Sequence, residues 1–406
     1  MRTPVLAFSV GLLLASVAPA DSLNVRLIGS CTTPGEAYGV AVAGDYAYVA
    51  DASQGLRVVS VADPTHPVEV GHCDTPSWAA GVAVEGDYAY VADYDQGLRV
   101  VSVSDPAHPV EVGYCDTPGY AFGVAVNGDY AYVADFGSGL RVVSVSDPAH
   151  PAEAGHYDTP GNARGVAVEG DYAYVADYDN GLRVISVSDP TDPTEVGYCQ
   201  TSDYAWGVSV AADHVYVADT HDGLRVISVS DPAHPVEVGH CDTPDRASGV
   251  AVNGDYAYVA DCDGGLRVIS VSDPTHPVEV GYYVTLYPAR GVAASEDYAY
   301  LAEDGAGGLQ IYQFYEAGVE ETPNAEVRAA KCQPTIVRGM LFLPASGVGR
   351  GASSVLGDVS GRKVLDLQPG PNDVSRLAPG VYFVRERSAA RGRRSAVSVR
   401  KVVVTR

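Results

Sequence analysis

Lysine is missing from most of this sequence, and cations of any kind are scarce there. Residues 21–324 contain no lysine and about 10 arginines against about 46 aspartates and glutamates. Nucleic acids are bound by clustered cations that neutralise phosphates, so this acidic segment excludes a nucleic-acid partner. Residues 325–406 have the opposite balance, with about 15 lysines and arginines against about 5 acidic residues. The contrast indicates a domain boundary, and we interpret the basic charges as solvated strand faces.

Long apolar runs are absent after the first twenty residues. Residues 1–20 have the pattern of a signal peptide, because Arg2 precedes an apolar run at residues 5–17 and the Ala-Pro-Ala of residues 18–20 fits cleavage after Ala20. The apolar run is too short for a stable membrane anchor. A short buried helix is the alternative interpretation. We expect an exported chain without a transmembrane segment after cleavage.

Closely spaced cysteine pairs are absent as well, which argues against a zinc-type site. Five cysteines instead recur at one position of a repeat, and equivalent positions of neighbouring repeats lie beyond disulfide reach. We interpret them as small buried apolar residues. They are Cys31, Cys73, Cys115, Cys199 and Cys241.

What the sequence has in abundance is a repeat of about 42 residues that occurs seven times. Runs rich in valine and tyrosine, separated by Gly-Asp and Asp-Pro turn signals, predict four short antiparallel strands in each repeat. Four strands at this period are typical of a β-propeller blade. We therefore predict an all-β, seven-bladed propeller over residues 21–315. An open solenoid is the alternative, but it needs capping repeats, and neither end looks like one.

The two ends of the repeat region complement each other. Residues 25–34 match the fourth strand of a repeat and its following turn, whereas the seventh repeat stops after its third strand, at residues 309–314. We predict that residues 24–31 form the outermost strand of the blade that contains residues 291–315. This N-terminal strand would close the ring and remove the exposed edges.

An aspartate follows the second strand in six repeats and raises the question of calcium. Two of the loops read Asp-Tyr-Asp-x-Gly, with Asp93 and Asp95 in one and Asp177 and Asp179 in the other. Calcium loops use alternate carboxylates, but these loops offer only two or three and no bidentate glutamate. We favour a turn cap, in which the aspartate bonds its own backbone two residues on, over a weak calcium site. No other metal or cofactor is predicted.

The repeat also resembles a known family. The phrase Leu-Arg-Val-Val-Ser-Val-Ser-Asp-Pro, followed by His-Pro-Val-Glu-Val-Gly, is similar to the LVIVD repeat of bacterial surface propellers. The resemblance covers residues 22–315. It implies a secreted or surface-exposed propeller, in a family that is mostly without assigned activity.

A different pattern follows the propeller. Residues 316–334 have the acidic, then mixed and proline-containing composition of a linker. Residues 335–406 contain Asp-x-Ser-Gly-Arg-Lys-Val, Leu-Ala-Pro-Gly-Val-Tyr-Phe and a basic last strand, and they resemble the C-terminal sorting domain of the type IX (Por) secretion system. The resemblance implies a small β-sandwich recognised by the secretion machinery, and a protein secreted or held at the outer surface of a diderm bacterium. An ordinary β-sandwich module is the alternative.

Variation between the seven copies is the only signal of function. The segments that enter each first strand differ among blades, and they lie on the same face as the loops between second and third strands. Aromatic and arginine side chains on that face are typical of recognition surfaces. We predict a partner, an extracellular protein or a glycan, that contacts Trp78, Tyr120, Phe122, Arg164, Tyr204, Trp206, Arg246 and Arg290. Neutral drift in tolerant loops is the alternative explanation.

Catalytic signatures are absent, so we predict a binding or structural module and not an enzyme. The sequence has no nucleophile elbow, no His-Glu-x-x-His motif and no P-loop. The histidines recur with the repeat, which is expected of structural residues. The alternative is an extracellular hydrolase or lyase, directed at a glycan or peptide, with its site at the channel mouth.

Overall fold

The computed structural model describes residues 22–295 and 297–315 in full, and the backbone of seven strands beyond residue 334. The chain divides into two compact units, Met1–Tyr315 and Glu316–Arg406. The predicted signal peptide (residues 1–20) and linker (residues 316–334) lie outside the described residues. Within the part that is described, no helix is long and apolar enough to cross a membrane.

The first unit consists of seven four-stranded antiparallel blades, as the repeat predicts. Blades 1 to 3 contain Gly39–Ala43, Tyr46–Ala50, Leu56–Ser60, Val68–Cys73; Gly81–Glu85, Tyr88–Ala92, Leu98–Ser102, Val110–Cys115; Gly123–Asn127, Tyr130–Ala134, Leu140–Ser144 and Ala152–Tyr157. Blades 4 to 6 contain Gly165–Glu169, Tyr172–Ala176, Leu182–Ser186, Thr194–Cys199; Gly207–Ala211, His214–Ala218, Leu224–Ser228, Val236–Cys241; Gly249–Asn253, Tyr256–Ala260, Leu266–Ser270 and Val278–Tyr283.

Blade 7 is assembled from both ends of the repeat region. Its strands are Ala289–Ala294, Ala299–Glu303, Gly308–Phe314 and the N-terminal Val25–Cys31. The last two pair antiparallel, from Val25 opposite Phe314 to Cys31 opposite Leu309. The N-terminal segment also contacts a second blade, because Ser22–Leu23 pairs with the outer strand of blade 6, which the repeat pattern did not indicate.

The apolar core lies between neighbouring blades. Tyr132 and Leu140 of blade 3, for example, pack with Val166 and Ile185 of blade 4 in one buried cluster. Equivalent clusters repeat around the ring, and one joins blade 7 to blade 1. Each blade therefore buries both faces of its middle strands, which explains why those strands are almost continuously apolar.

Glycine opens each first strand because the blades approach closely around the channel. A Cβ added at Gly123 would lie 2.8 Å from the carbonyl oxygen of Arg164 in the next blade. The same close approach recurs at the equivalent glycines. A larger residue would push the first strands apart and widen the channel.

The aspartate after each second strand has a different role from the predicted turn cap. The carboxylate of Asp93 accepts hydrogen bonds from the Thr75 hydroxyl (2.6 Å) and the Ser77 backbone N–H (3.0 Å), both in the segment that enters its own blade. The guanidinium of Arg99 lies 3.8 Å away and also faces Glu111 and Asp116. The buried carboxylate satisfies donors of the preceding segment, so it links two segments instead of capping its own turn.

The prediction that the repeated cysteines are buried is wrong, because the structure places them half-exposed. They end the outermost strands, whose outer faces remain partly exposed. In the described part of the chain all six cysteines are free, and Cys262 alone is fully buried. Cys332 lies outside the described residues.

Blade 7 departs from the pattern at the buried charge. Glu303 replaces the aspartate and Gln310 replaces the arginine, and the Tyr312 hydroxyl donates to Glu303 at 2.9 Å. Glu303 is 3% exposed and forms no ion pair among the described residues. Burial therefore raises the pKa of Glu303 from 4.5 to about 7, and the Tyr312 hydrogen bond offsets only part of this rise.

This raised pKa predicts a pH dependence for blade 7. Protonated Glu303 contributes fully to the stability of the folded chain below pH 4.5. This contribution is lost as the pH rises to about 7, because the carboxyl ionises first in the unfolded chain. The loss is about 3 kcal/mol. We expect Glu303→Gln to gain this amount of unfolding free energy relative to wild type between pH 4.5 and 8. Urea unfolding of the two proteins at both pH values measures the change. Parallel pH profiles for the two proteins would contradict the prediction, because they would show that the carboxyl has the same pKa in the folded and unfolded chain.

The second unit contains seven strands. They are Thr335–Val337, Met340–Leu343, Ser353–Gly357, Lys363–Leu367, Gly370–Asp373, Gly380–Arg387 and Val397–Val404. Five form one sheet and the other two form a separate antiparallel pair, Met340–Leu343 with Gly370–Asp373. The sheet is antiparallel except where Thr335–Val337 runs parallel to the last strand.

Candidate binding face at the channel mouth

The two variable loops of each blade meet on one face of the propeller. The loop after the second strand forms an isolated β-bridge with the segment that enters the next blade, as between Tyr94 and Ala121 or Tyr178 and Ala205. The residue on each side of that alanine therefore projects beside the loop residue. Three kinds of position therefore define the face: the loop residue and the two residues that flank the bridged alanine.

We call the residues that directly precede the first-strand glycines the inner ring, because they surround the channel. Together with the glycines and the following valines they line a cavity of about 380 Å³. The inner ring consists of Tyr38, Ala80, Phe122, Arg164, Trp206, Ser248 and Arg290. The wall below it combines the backbone of the glycines with valine side chains and is nearly the same in every blade, whereas the ring itself differs from blade to blade.

Aromatic side chains dominate the sector formed by blades 2 to 5. Tyr94 stacks on Tyr120 with ring centroids 4.3 Å apart, and Tyr178 stacks on Tyr204 at 4.2 Å. Phe136 lies 5.6 Å from Phe122. We call this group the aromatic cluster: Tyr94, Tyr120, Phe122, Phe136, Tyr178, Tyr204 and Trp206.

The loop members of this cluster have an uncommon backbone conformation. Tyr94, Phe136 and Tyr178 have φ values of 49°, 49° and 52°, in the left-handed region that bulky residues rarely occupy. Each such residue costs of order 1 kcal/mol or more, which the surrounding bridges must offset. Ala52, Thr220 and Cys262 also have positive φ at the equivalent positions, so this conformation belongs to the turn of the repeat.

Arg164 lies at the centre of the aromatic cluster. Its guanidinium carbon is 4.2 Å from the ring centroids of both Phe122 and Trp206, and 4.9 Å from that of Phe136. Nε is buried without a hydrogen-bond partner. Burial accordingly lowers the pKa of Arg164. Arg164 forms no ion pair with any carboxylate among residues 22–295 and 297–315, so the aromatic faces are its main compensation.

The opposite sector of the ring has a different chemistry. Arg290 forms an ion pair with Asp304 at 2.7 Å, and its guanidinium lies 5.4 Å from the Tyr38 ring. Tyr38 in turn contacts Trp78 edge-on at 5.6 Å. The charge of Arg290 is therefore neutralised within the protein, unlike that of Arg164.

The structure brings together some of the predicted contact residues and separates others. Tyr120, Phe122, Arg164, Tyr204 and Trp206 belong to the aromatic cluster or its centre. The remaining three lie elsewhere on the face: Arg290 in the opposite sector of the inner ring, Trp78 beside a second, shallower hollow, and the exposed Arg246 outside the cavity lining.

Sequence reasoning missed four members of this face. Tyr38 occupies the inner ring, and Tyr94, Phe136 and Tyr178 lie in the loops and contact Phe122 or Trp206 of that ring. The loops did vary between repeats, and that variation was the available signal. It did not indicate which loop residue turns toward the mouth, because this depends on the left-handed backbone.

The buried aspartates position the inner ring. Asp177 is fully buried and accepts hydrogen bonds from Thr159 (2.6 Å) and the Gly161 N–H (2.9 Å), three residues before Arg164. Burial raises its pKa to about 6, although Arg183 lies 3.6 Å away. The core of blade 4 thus fixes the segment that carries the central cation.

No metal-binding group emerges on this face. In the described residues, no three histidine, cysteine, aspartate or glutamate side chains are placed to hold an ion. Asp93 and Asp177 point into their blades, whereas Asp95 and Asp179 lie exposed on the loops. The repeated histidines contact aspartates in exposed turns, as His108 does with Asp105 at 2.9 Å.

Solved structures support the fold but share little sequence with this chain. The structure of U3-55K is 12% identical with a TM-score of 0.57, covering 71% of this chain and 98% of that one. The RRP9 WD40 repeats are also 12% identical with a TM-score of 0.57, covering 72% and 97%. The computationally designed Ika8 protein is 7% identical with a TM-score of 0.55, covering 71% and 99%. These similarities show the propeller fold alone.

The repeats themselves identify the family. The comparison with curated proteins found no match for this chain. The LVIVD repeat, however, matches seven consecutive segments: residues 34–75, 78–117, 118–159, 160–201, 202–243, 245–285 and 288–311. These segments correspond to the seven blades and cover well over half of the sequence. The chain belongs to the LVIVD repeat family.

Proposed function

We propose that the protein is an extracellular interaction module whose partner contacts the channel mouth. The observation that carries this proposal is Arg164, a half-buried cation surrounded by aromatic rings at the rim of a cavity. Arginine and aromatic side chains in a partly desolvated pocket are the groups that contribute most to binding. An extracellular protein or a glycan is the class of partner that fits an exported propeller.

An enzyme is the weaker proposal, for a reason found in the cavity. Hydrolases and lyases need a general acid or base placed against the substrate. The lining of this cavity contains no aspartate, glutamate or histidine, and its polar side chains are tyrosine, tryptophan, serine and arginine. Such a set favours recognition over acid–base chemistry.

The proposal predicts that the inner ring is required for binding. Screening wild type against glycan and extracellular-protein arrays should give a partner, and Arg164→Ala with Trp206→Ala should weaken that binding by at least about 10-fold, or about 1.4 kcal/mol. Because both side chains are half-buried, circular dichroism must show that the double variant stays folded. The matched control is His108→Ala with His150→Ala in the Asp-Pro turns, which should bind normally. If the control loses binding while the double variant binds fully, the partner contacts the Asp-Pro turns and not the channel mouth.

We propose further that residues 335–406 form a sorting-type β-sandwich that directs export, and that residues 1–20 are a cleaved signal peptide. The support is the terminal motifs, the charge contrast and the strand content of this segment. The protein would then be secreted or held on the outer surface of a diderm bacterium.

The export proposal predicts that the truncation lacking residues 335–406 accumulates as folded propeller in the periplasm. Cell fractionation and surface protease accessibility measure this, with full-length protein as the control. Surface delivery of the truncation at the full-length level would refute the sorting role.

A further inference from the structure

Arg164 is an unneutralised cation in an otherwise acidic body. Residues 21–324 carry about 46 acidic side chains against about 10 arginines, and the third-strand arginines each face at least two carboxylates. Arg290 in the same ring has Asp304. A partly desolvated charge without a counter-ion is unfavourable unless a ligand supplies one. The mouth thus has room for one negative group from outside.

The aromatic contacts leave the edge of the guanidinium available. The ring centroids of Phe122 and Trp206 both lie 4.2 Å from the guanidinium carbon, and Nε is buried without a partner, whereas Nη1 and Nη2 are not. The donors of arginine lie in the plane of the group, where a carboxylate accepts two parallel hydrogen bonds. Packing by rings holds the side chain in place and so reduces the entropy that a ligand must offset.

The rest of the cavity indicates what carries the negative group. Seven glycines and seven valines form most of the wall, and no asparagine, glutamine, aspartate or glutamate lines it. No carboxylate or amide side chain is present to accept from the many hydroxyls of a sugar, which would find only backbone groups and the hydroxyls of Tyr38 and Ser248 in this lining. An apolar side chain meets no such cost and gains from burial.

The position and size of the cavity favour the end of a chain. The inner ring surrounds the channel axis, and about 380 Å³ accommodates one or two residues and not a long segment. A long polyanion would also be repelled by the acidic surface, whereas a single carboxylate can reach Arg164.

From these four observations we infer that the channel mouth binds the C-terminal carboxylate of a protein or peptide whose last residue is apolar. Arg164 binds the carboxylate, the valine wall holds the terminal side chain, and Tyr120 and Tyr204 contact the residues that lead away from the mouth. This inference specifies the partner of the proposed binding module and rests on that function.

The test uses dye-labelled hexapeptides ending in Leu, Val or Phe, each as a free acid and as a C-terminal amide, with full-length protein and fluorescence anisotropy. We expect the free acids to bind and the amides to bind at least about 10-fold more weakly. Arg164→Gln should reduce binding of the free acids by a similar factor. The matched control is Arg26→Gln, which removes the same charge from an exposed site on the outer strand of blade 7.

Three outcomes would overturn the inference: equal binding of acid and amide, equal loss in Arg26→Gln, or no binding of any free-acid peptide. Oligosaccharides containing uronic acid form a separate arm of the experiment. If they alone bind, and do so through Arg164, the peptide assignment is wrong while the proposed binding module stands. If the arrays yield no partner that depends on Arg164 and Trp206, the proposed function itself fails.

Discussion

Deleting residues 21–31 is expected to lower the melting temperature of the propeller by roughly 10 °C or more. The deletion removes the strand Val25–Cys31, whose Val25 is fully buried and whose Ile28 and Cys31 pack into the cluster that joins blades 7 and 1. Burial of these side chains and the lost strand pairing correspond to about 5 kcal/mol. For a protein of this size, that is a shift of roughly 10 °C or more.

The deletion should also change the state of association. Without this strand, Gly308–Phe314 becomes an unpaired edge, and such edges pair with other chains. Circular dichroism and analytical ultracentrifugation measure the two effects. The matched control deletes residues 21–23 only, which removes the short pairing with blade 6 and should cost little. An unchanged melting temperature and sedimentation for the longer deletion would show that the ring does not depend on this strand.

The fold could be predicted because each blade repeats the same local pattern of strand and turn residues. Turn residues flank the strands, since Gly86 and Asp87 precede Tyr88–Ala92 and Asp116 follows Val110–Cys115. The N-terminal strand was predictable for the same reason, since it matches the strand that the seventh repeat lacks. The same pattern occurs seven times, so the prediction does not depend on any single repeat.

The binding face was predictable only in outline, because its geometry is not local. Which loop residue turns toward the mouth depends on a left-handed backbone at Tyr94, Phe136 and Tyr178 that a bridge to the next blade holds. The partners of Asp93 could not be predicted either, because Thr75 and Ser77 lie 18 and 16 residues before it. The replacement of the aspartate and arginine by Glu303 and Gln310 in blade 7 is visible in the sequence. The raised pKa of Glu303, however, follows from its burial, which only the structure shows.

Core and site are coupled through these aspartates. Six blades use one buried carboxylate to hold the segment that ends in an inner-ring residue, and the residue at the ring is the one that varies. The invariant core thus provides a fixed position for a variable side chain, which is how a rigid scaffold presents a recognition surface.

Asp177→Ala is expected to destabilise the propeller by about 3–5 kcal/mol, because it removes one partner of a buried ion pair. The Thr159 hydroxyl and Gly161 N–H lose their acceptor, and Arg183 keeps only Glu195. Asp177→Asn should cost less, about 1–2 kcal/mol, since the Thr159 hydroxyl can accept from the new amide while the amide oxygen accepts from Gly161. Urea unfolding at pH 7 measures both variants. Equal stability of Asp177→Ala and wild type would show that the carboxylate makes no net contribution.

A matched variant in another blade distinguishes a loss of propeller stability from a change in the position of Arg164. Asp93→Ala breaks the same arrangement in blade 2, where the segment held by the carboxylate leads to Trp78 and not to Arg164. We expect similar losses of stability for Asp93→Ala and Asp177→Ala. At a temperature where both remain folded, however, only Asp177→Ala should weaken binding that depends on Arg164, since its segment is no longer fixed. Equal weakening by the two variants would mean that the aspartates act on binding through overall stability alone.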